Sequence, residues 1–246
     1  MKNLIKQFIL VLFAITSITL AQDAQSIVAK ADEVVNAPKD QTANMKMILI
    51  DKEGNEKVRE TTFLQKGSEK RIMRFTSPAD QKGIAFLSLP DDIQYLYMPA
   101  FHKVRRIASH VKNTKFAGTD FSYDDLSSFE YAKQYDAKQV SEDETYWVME
   151  LTPKTGVEKD YGKLIMSIRK DNHYPAKIDY YDKGGNLWKT MERRNVEKIG
   201  KYWFSKEFEI KDLKEEHRTK MILSDVEFDT GISDETFTER YLKKAK

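Results

Sequence analysis

Short β-forming runs separated by turn residues fill the chain from about Thr42 almost to its C-terminus. Two of these runs flank Asp51–Asn55, whose Gly and Asn suit the positive φ angles of a hairpin turn. Gly184–Asn186 and Ile199–Lys201 are two further hairpin signals. Because no long helical pattern separates the runs, the sequence predicts an antiparallel sheet that curls into a sandwich or a barrel.

The predicted strands are Met45–Ile50, Val58–Leu64, Arg71–Phe75, Ile84–Leu89, Ile93–Met98, Val104–Ile107, Phe129–Tyr135, Tyr146–Leu151, Leu164–Arg169, Ala176–Tyr181, Leu187–Val196, Tyr202–Ile210 and His217–Phe228. Several of them are apolar on one face and charged on the other, which is also typical of an outer-membrane barrel. Lys189–Glu197 and Lys211–Leu223 carry charges on both faces, however, and this disfavours the membrane barrel.

The first residues have the pattern of an export signal. Lys2 and Lys6 precede an uncharged apolar run, Phe8–Leu20, and Ala21 supplies a small residue for cleavage. The run has about 13 residues, fewer than the ~20 of a membrane-spanning helix, so an uncleaved anchor is the weaker alternative. We therefore predict a signal peptide over residues 1–21, cleavage after Ala21, a periplasmic location, and a single domain over residues 22–246.

A short amphipathic helix is predicted directly after the signal peptide. Apolar residues from Ile27 to Val35 recur on one helical face, and Pro38 ends the pattern.

Composition excludes several function classes. The chain has no Cys, which removes disulfides, Cys-based zinc sites and thiol catalysis. The four His residues are scattered, and the acids at Asp120, Asp124 and Asp125 lack the spacing of a calcium loop, so we expect no metal and no cofactor. Removal of Lys2 and Lys6 lowers the 41 basic residues to the number of acidic ones, 39, which disfavours nucleic-acid binding.

Motifs of enzymes occur only by chance. Ser109 and Lys112, like Ser167 and Lys170, have the SxxK spacing, but neither pair is followed by the Lys-Thr-Gly strand that this chemistry requires. The nucleophile elbow, the P-loop and the dinucleotide fingerprint are missing from the sequence. Carboxylate pairs for glycoside hydrolysis stay open, because their separation depends on the fold. We expect that the protein is not an enzyme.

Three motifs occur in order between Phe75 and Leu126: Phe75–Pro78 with Lys82–Leu87, Tyr95–Ala100 with Lys103–Ile107, and Phe116–Leu126. Together with the C-terminal Ser233–Leu242, this succession resembles the LolA-like outer-membrane lipoprotein-sorting family, over about Ile27 to Leu242. The resemblance implies a mainly β fold, an incomplete antiparallel β-barrel with a strongly curved sheet, an N-terminal helix and short helical lid segments. It also implies an apolar cavity for the acyl chains of a lipid or lipoprotein, an RND-type inner-membrane transporter and an outer-membrane acceptor.

Such a carrier needs an adaptable apolar cavity and no catalytic group. At ~0.8 kcal/mol per buried CH₂, a chain of ~16 carbons gains up to ~13 kcal/mol on leaving water. Met is unbranched and polarizable, and suits a surface that must bind and release such a chain. The residues predicted to line the cavity are Met73, Phe75, Phe86, Leu96, Met98, Trp147, Met149 and Phe204. The alternative for each of them is a place in a dry core.

Two polar groups are predicted to contact a lipid headgroup or an acidic partner. Arg105 and Arg106 present forked donors for a phosphate, although a solvated strand end is the alternative. Asp120 belongs to Gly118–Leu126, whose first role is a tight turn into a helical turn capped by Asp120 or Ser122.

The function expected from these observations is a monomeric periplasmic carrier that passes a lipid or lipoprotein toward the outer membrane. One alternative is an envelope sensor or regulatory module that uses the same cavity to detect lipids. A hydrolase or a structural envelope protein is the third.

Overall fold

The computed structural model describes residues 24–127 and 130–244. The predicted signal peptide and its cleavage site after Ala21 lie outside the described residues. In chain order the helices are α1 (24–35), α2 (Tyr131–Gln134) and α3 (Glu239–Leu242). The strands are β1 (Asp40–Ile50), β2 (Glu56–Lys66), β3 (Lys70–Ser77), β4 (Ala85–Leu89), β5 (Ile93–Met98), β6 (Lys103–Arg106), β7 (Tyr135–Glu142), β8 (Tyr146–Pro153), β9 (Tyr161–Arg169), β10 (Pro175–Asp182), β11 (Leu187–Ile199), β12 (Tyr202–Asp212) and β13 (His217–Phe228).

The described chain divides into two compact units. Unit 1 contains residues 24–34 and 130–186, and unit 2 contains residues 35–127 and 187–244. Each unit is built on antiparallel strands that do not close into a barrel. The predicted mainly β fold, an unclosed antiparallel sheet with an N-terminal helix, is therefore confirmed. The single domain over residues 22–246 stays a prediction.

Unit 1 is a four-stranded antiparallel sheet in the order β10-β9-β8-β7, joined by α1 and α2. The side chains of alternate residues on β8 and β9 are buried, and Met149 lies opposite Met166. Gly162 is required where β9 and β10 approach closely, because a Cβ there would lie 2.8 Å from the carbonyl oxygen of Asp182.

Helix α1 is held to the start of β7 by two side chains. Gln25 donates to the carbonyl oxygens of Ala132 (2.8 Å) and Tyr135 (3.2 Å), and accepts from the backbone N–H of Ala137 (2.9 Å). Asp32 accepts from the backbone N–H of Ala132 at 2.8 Å. The predicted helix after the signal peptide is thus present, and polar bonds fix its position within unit 1.

The predicted strand Phe129–Tyr135 is wrong: Tyr131–Gln134 is a helical turn, and the strand begins at Tyr135. Long-range bonds from α1 to Ala132 favour the helical turn over the extended form that its aromatic residues suggested. The strand β7 that follows has an exposed, polar sequence, and within its unit it pairs with β8 alone. A strand at an edge buries little, so hydrophobic alternation does not reveal it.

Unit 2 is a nine-stranded antiparallel sheet in the order β6-β5-β4-β3-β2-β1-β13-β12-β11. The chain enters it at β1 and returns to pair β13 with that strand, from Gln41 opposite Phe228 to Ile50 opposite Arg218. The turn predicted at Asp51–Asn55 joins β1 to β2, and Asp51 accepts hydrogen bonds from the backbone N–H groups of Glu53 and Asn55.

The two faces of β2–β5 are buried by different parts of unit 2. Cross-strand pairing aligns Phe63, Met73, Phe86 and Leu96 on one face, which we call the aromatic face. The neighbouring residues Leu64, Ile72, Leu87 and Tyr95 share the opposite face, which we call the C-terminal face.

The last residues of unit 2 cover the C-terminal face. Phe237 and Leu242 are buried in one hydrophobic cluster with Ile72, Leu87 and Tyr97. This C-terminal segment begins at residue 230, where Asp40 accepts hydrogen bonds from the backbone N–H and hydroxyl of Thr230 and from the next two backbone N–H groups, at 2.7–3.2 Å. A buried carboxylate on β1 therefore fixes the start of the segment.

Candidate functional site

Residues 107–127, which we call the cover segment, lie against the aromatic face. The cover segment has no long helix or strand among its residues; it contains the 3₁₀ turns Ser109–Val111 and Phe116–Gly118 and one bridge, Lys115 with Ser122. It follows β6 and includes the third motif of the sequence. Its irregular backbone distinguishes it from the rest of unit 2.

Aromatic rings join the cover segment to the sheet. The ring centroid of Phe116 lies 5.8 Å from that of Phe75, 5.6 Å from that of Phe86 and 5.4 Å from that of Tyr123. The rings of Phe86 and Tyr123 are 5.8 Å apart. Phe75, Phe86 and Phe116 are almost fully buried, so the four rings form a closed apolar layer between the sheet and the cover segment.

Side chains of the aromatic face bind backbone carbonyls of the cover segment. Arg71, which is 1% exposed, donates to the carbonyl oxygen of Ser127, and the Ser88 hydroxyl donates to the same oxygen at 3.3 Å. Gln94 donates to the carbonyl oxygen of Tyr123 at 3.3 Å. These bonds run from side chains to backbone, so they can break without disturbing the hydrogen-bonded ladder of the sheet.

Asp120 attaches the middle of the cover segment to β13. Gly118, at φ +74°, permits the turn that brings Asp120 down to the sheet. Its carboxylate Oδ2 lies 2.6 Å from Nδ1 of His217 and accepts from the Thr219 hydroxyl at 2.7 Å. The backbone N–H of Asp120 donates to the Thr219 oxygen at 3.0 Å, and Lys189 donates to the Asp120 carbonyl oxygen at 2.9 Å. The side chain of Asp120 is fully buried.

Lys115 supplies the cation of this buried network. Its ammonium group lies 3.2 Å from Asp120, 3.5 Å from Asp212 and within hydrogen-bond distance of Glu215. Burial alone would lower the pKa of Lys115, but the hydrogen bond to Glu215 and the carboxylates of Asp120 and Asp212 outweigh it and raise that pKa. Lys115 therefore stays charged and links the cover segment to Asp212 at the end of β12 and to Glu215 in the turn that follows.

The end of the motif forms a capped turn. The Ser122 hydroxyl accepts from the backbone N–H of Asp125 at 3.0 Å, and the Asp125 carboxylate accepts from the backbone N–H of Ser122 at 2.8 Å. Of the two caps considered from the sequence, Ser122 is the one that the structure shows, and the reciprocal pair resembles a capping box.

The comparisons with known proteins place this architecture in a family. A family model described as that of an uncharacterized protein matches residues 67–244. A domain from Vibrio parahaemolyticus, described as an outer membrane lipoprotein-sorting protein domain, is 28% identical with a TM-score of 0.85; the match covers 91% of this chain and 100% of that one. The chain belongs to the LolA-like family.

Two further solved structures share the fold. A DUF1329 family protein from Desulfovibrio piger is 26% identical with a TM-score of 0.85, and the match covers 91% of this chain and 99% of that one. A LolA superfamily protein from Nitrosomonas europaea shares the fold, at 24% identity and a TM-score of 0.74, over 89% of this chain and 98% of that one. No functionally curated protein matches the sequence.

Among the described residues of this LolA-like chain, no helix has the length and apolar character needed to cross a membrane.

The residues predicted to line the cavity lie in three places. Met73, Phe75, Phe86, Leu96 and Met98 share the aromatic face, where the first three are buried and the last two are half-buried.

The other three predicted cavity residues lie elsewhere. Trp147 and Met149 belong to β8 in unit 1, and Phe204 lies on β12 with its ring 5.5 Å from that of Phe228. The lipid contacts of all eight residues stay a prediction.

The predicted headgroup contacts also lie apart from one another. Arg105 and Arg106 are exposed on β6, where Arg105 lies opposite Leu96 and Arg106 lies opposite Tyr95. They therefore point to opposite faces and do not form one fork. Asp120 is bound inside unit 2. The contact of these three residues with a headgroup or partner stays a prediction.

Sequence reasoning missed Phe116, Arg71 and His217. Phe116 stands in a run of Gly, Thr and Asp that is typical of a turn, and His217 is 97 residues from its partner Asp120. Arg71 gave one usable signal: an arginine at an inward position of an apolar strand requires a buried acceptor.

Proposed function

We propose that this chain is a periplasmic carrier that shelters the acyl chains of a lipid or lipoprotein between the aromatic face and the cover segment, and passes them toward the outer membrane. The observation that carries the proposal is the apolar layer of Phe75, Phe86, Phe116 and Tyr123, closed by a segment that the sheet holds through side-chain bonds. The likeness to a lipoprotein-sorting domain supports the same reading.

The layer is filled in the closed structure, so binding requires exchange. An acyl chain that displaces Phe116 takes over its apolar contacts on Phe75 and Phe86. At ~0.8 kcal/mol per CH₂, a chain of ~16 carbons gains up to ~13 kcal/mol by burial. The side-chain bonds to Ser127 and Tyr123 are worth ~1–3 kcal/mol each, so the gain from the lipid outweighs their loss.

Release follows from the same exchange. When an acceptor removes the acyl chain, Phe116 and Tyr123 can return to the aromatic face, which prevents exposure of apolar surface to water. Neither step needs a catalytic group. An RND-type inner-membrane transporter that loads the carrier and an acceptor at the outer membrane complete the proposal, with Arg105 and Arg106 as exposed contacts for a headgroup or an acidic partner.

A reversible lock on the cover segment tests the proposal. The chain has no Cys, and the Ser88 hydroxyl lies 3.3 Å from the Ser127 carbonyl oxygen. We expect the variant with both Ser88→Cys and Ser127→Cys to form a disulfide that keeps the layer closed. Binding of a fluorescent acyl probe should be lost in the oxidised variant and restored by a reductant, while Ser88→Cys alone should bind in both conditions.

Native mass spectrometry of the protein purified without detergent identifies the cargo. A bound lipid or acylated peptide that the oxidised lock excludes supports the carrier. An unmodified protein mass with no probe uptake in the wild type contradicts it. Cargo that is bound but never passed to acceptor vesicles favours the sensor instead.

A further inference from the structure

A separate pocket lies on the C-terminal face of unit 2, on the opposite side of the strands from the cover segment. Its volume is about 350 Å³, within the range of ~300–1,000 Å³ that small-molecule sites occupy. Leu64, Ile72 and Tyr97 line it from the sheet, and Tyr241 lines it from α3. The walls are mostly apolar, and none of the eleven lining residues is acidic.

Arg74 places a positive charge in this apolar pocket. Its side chain lines the pocket, and the residue is 8% exposed. The guanidinium donates to the carbonyl oxygens of Gly83 (3.4 Å) and Tyr241 (3.2 Å). A guanidinium has five N–H donors, so these two bonds leave three without a protein acceptor among residues 24–127 and 130–244.

No carboxylate neutralises Arg74 within the described parts of the chain. The half-buried Lys115 contrasts with Arg74, because the carboxylates of Asp120, Asp212 and Glu215 surround it. The polar groups near Arg74 are the carbonyl oxygens of Gly83 and Tyr241 and the phenol groups of Tyr241 and Tyr97, and burial lowers the pKa of Arg74. An arginine that stays charged in an apolar pocket is costly unless an anion binds it.

We propose that this pocket binds an amphiphile with one apolar chain and an anionic head, either a carboxylate or a phosphate. The anionic head accepts hydrogen bonds from the remaining N–H donors of Arg74, because the planar guanidinium matches two oxygens of a carboxylate or a phosphate. Lys82, exposed at the rim, adds a second positive charge. The chain lies along Leu64, Ile72 and Tyr97. The pocket lies across the strands from the layer beneath the cover segment, with Phe75 bordering both, and the proposed ligand goes beyond the proposed carrier function.

Calorimetry on the purified chain tests the site with four probes: decanoate, decyl phosphate, 1-decanol and inorganic phosphate. We expect decanoate and decyl phosphate to bind once per chain. Decanol should bind about 10- to 100-fold more weakly, since it lacks the charge-assisted bonds. Inorganic phosphate, without an apolar chain, should not bind measurably.

Three variants separate the pocket from general surface effects. Arg74→Met keeps an unbranched apolar stem and removes the charge, so decanoate binding should fall about 10- to 100-fold. Thr62→Phe fills the pocket and keeps Arg74, since Thr62 lies opposite it on β2, and should abolish binding. Arg218→Gln, an exposed position on β13 outside the pocket lining, should bind like the wild type.

Circular dichroism first checks that each variant folds, so that a loss of binding reports on the pocket and not on unfolding. If Arg74→Met does not fold, Thr62→Phe decides alone. The proposal is overturned if decanol binds as tightly as decanoate, if the wild type binds neither anionic amphiphile, or if filling the pocket leaves binding unchanged. The Ser88–Ser127 lock should leave decanoate binding intact, which distinguishes this site from the carrier layer.

Discussion

Replacement of Asp120 by Asn should weaken the attachment of the cover segment more than it weakens the sheet. The Asp120 carboxylate accepts from Thr219 at 2.7 Å, lies 2.6 Å from Nδ1 of His217 and pairs with Lys115 at 3.2 Å, all in a buried position. Asn is nearly the same size, so it creates no cavity, but it removes the negative charge and turns two acceptor sites into donors. Loss of one partner from a buried charged network costs ~3–5 kcal/mol.

We expect Asp120→Asn to lower the free energy of unfolding by about 3 kcal/mol, near the lower limit, since one oxygen remains as an acceptor. For a chain of this size, that corresponds to a fall of roughly 6–12 °C in the melting temperature. Urea unfolding followed by circular dichroism and tryptophan fluorescence measures it, with Asp91→Asn, an exposed position of unit 2, as the matched control within ~0.5 kcal/mol.

A double-mutant cycle with His217→Gln isolates the pair. If the two side chains interact directly, the double variant should cost about 1–2 kcal/mol less than the two single variants together. Asp120→Asn should also speed the uptake of an acyl probe, because the cover segment opens more readily. A stability within 0.5 kcal/mol of the wild type, or additive effects of the two substitutions, would refute the view that this network holds the cover segment.

Three further changes test other parts of the fold. Burial alone would raise the pKa of Asp40, but the hydrogen bonds from Thr230 and the next two residues lower that pKa overall. The stability that the Asp40 carboxylate provides above pH ~4 is therefore lost as the pH falls through its folded-state pKa. Asp40→Asn should reduce the free energy of unfolding at pH 7 and should flatten its decrease between pH 5 and 3 in acid titrations of unfolding. Leu242→Ala, at a fully buried position, should cost ~2–5 kcal/mol in urea unfolding. Gln25→Ala should cost ~1–3 kcal/mol and speed amide exchange at Ala137, whose N–H it binds.

Alternation of apolar residues predicted most strands, because a half-buried strand must place every second side chain inside. Met73, Phe75 and Phe86 stand at such alternate positions, and the structure buries all three. The same reasoning failed at β7, where an edge strand buries little. Alternation therefore predicts a strand well when the strand buries much apolar surface and poorly when it buries little.

The residues that pack on the two faces of β2–β5 could not be predicted from alternation. Alternation cannot tell whether an inward face borders a cavity or a ring from a distant segment, and Phe116 provides that ring. Alternation also places Arg74 on the opposite face of β3 from Met73 and Phe75, but it does not show that the C-terminal segment buries Arg74 there. Contacts of this kind depend on residues far apart in sequence, and only the three-dimensional structure brings them together.

The pairing of β1 with β13 sets the order in which the chain can fold. Residue 50 pairs with residue 218, so unit 2 cannot join its first and last strands until nearly all of the chain is available. The strands of unit 1 follow one another along the sequence and pair with their immediate neighbours, which is the faster arrangement. A chain that emerges gradually from its N-terminus therefore holds β1 to β6 without β13 while residues 130–186 fold, and Asp120 of the cover segment gains its partners His217 and Thr219 only in the last stage of folding.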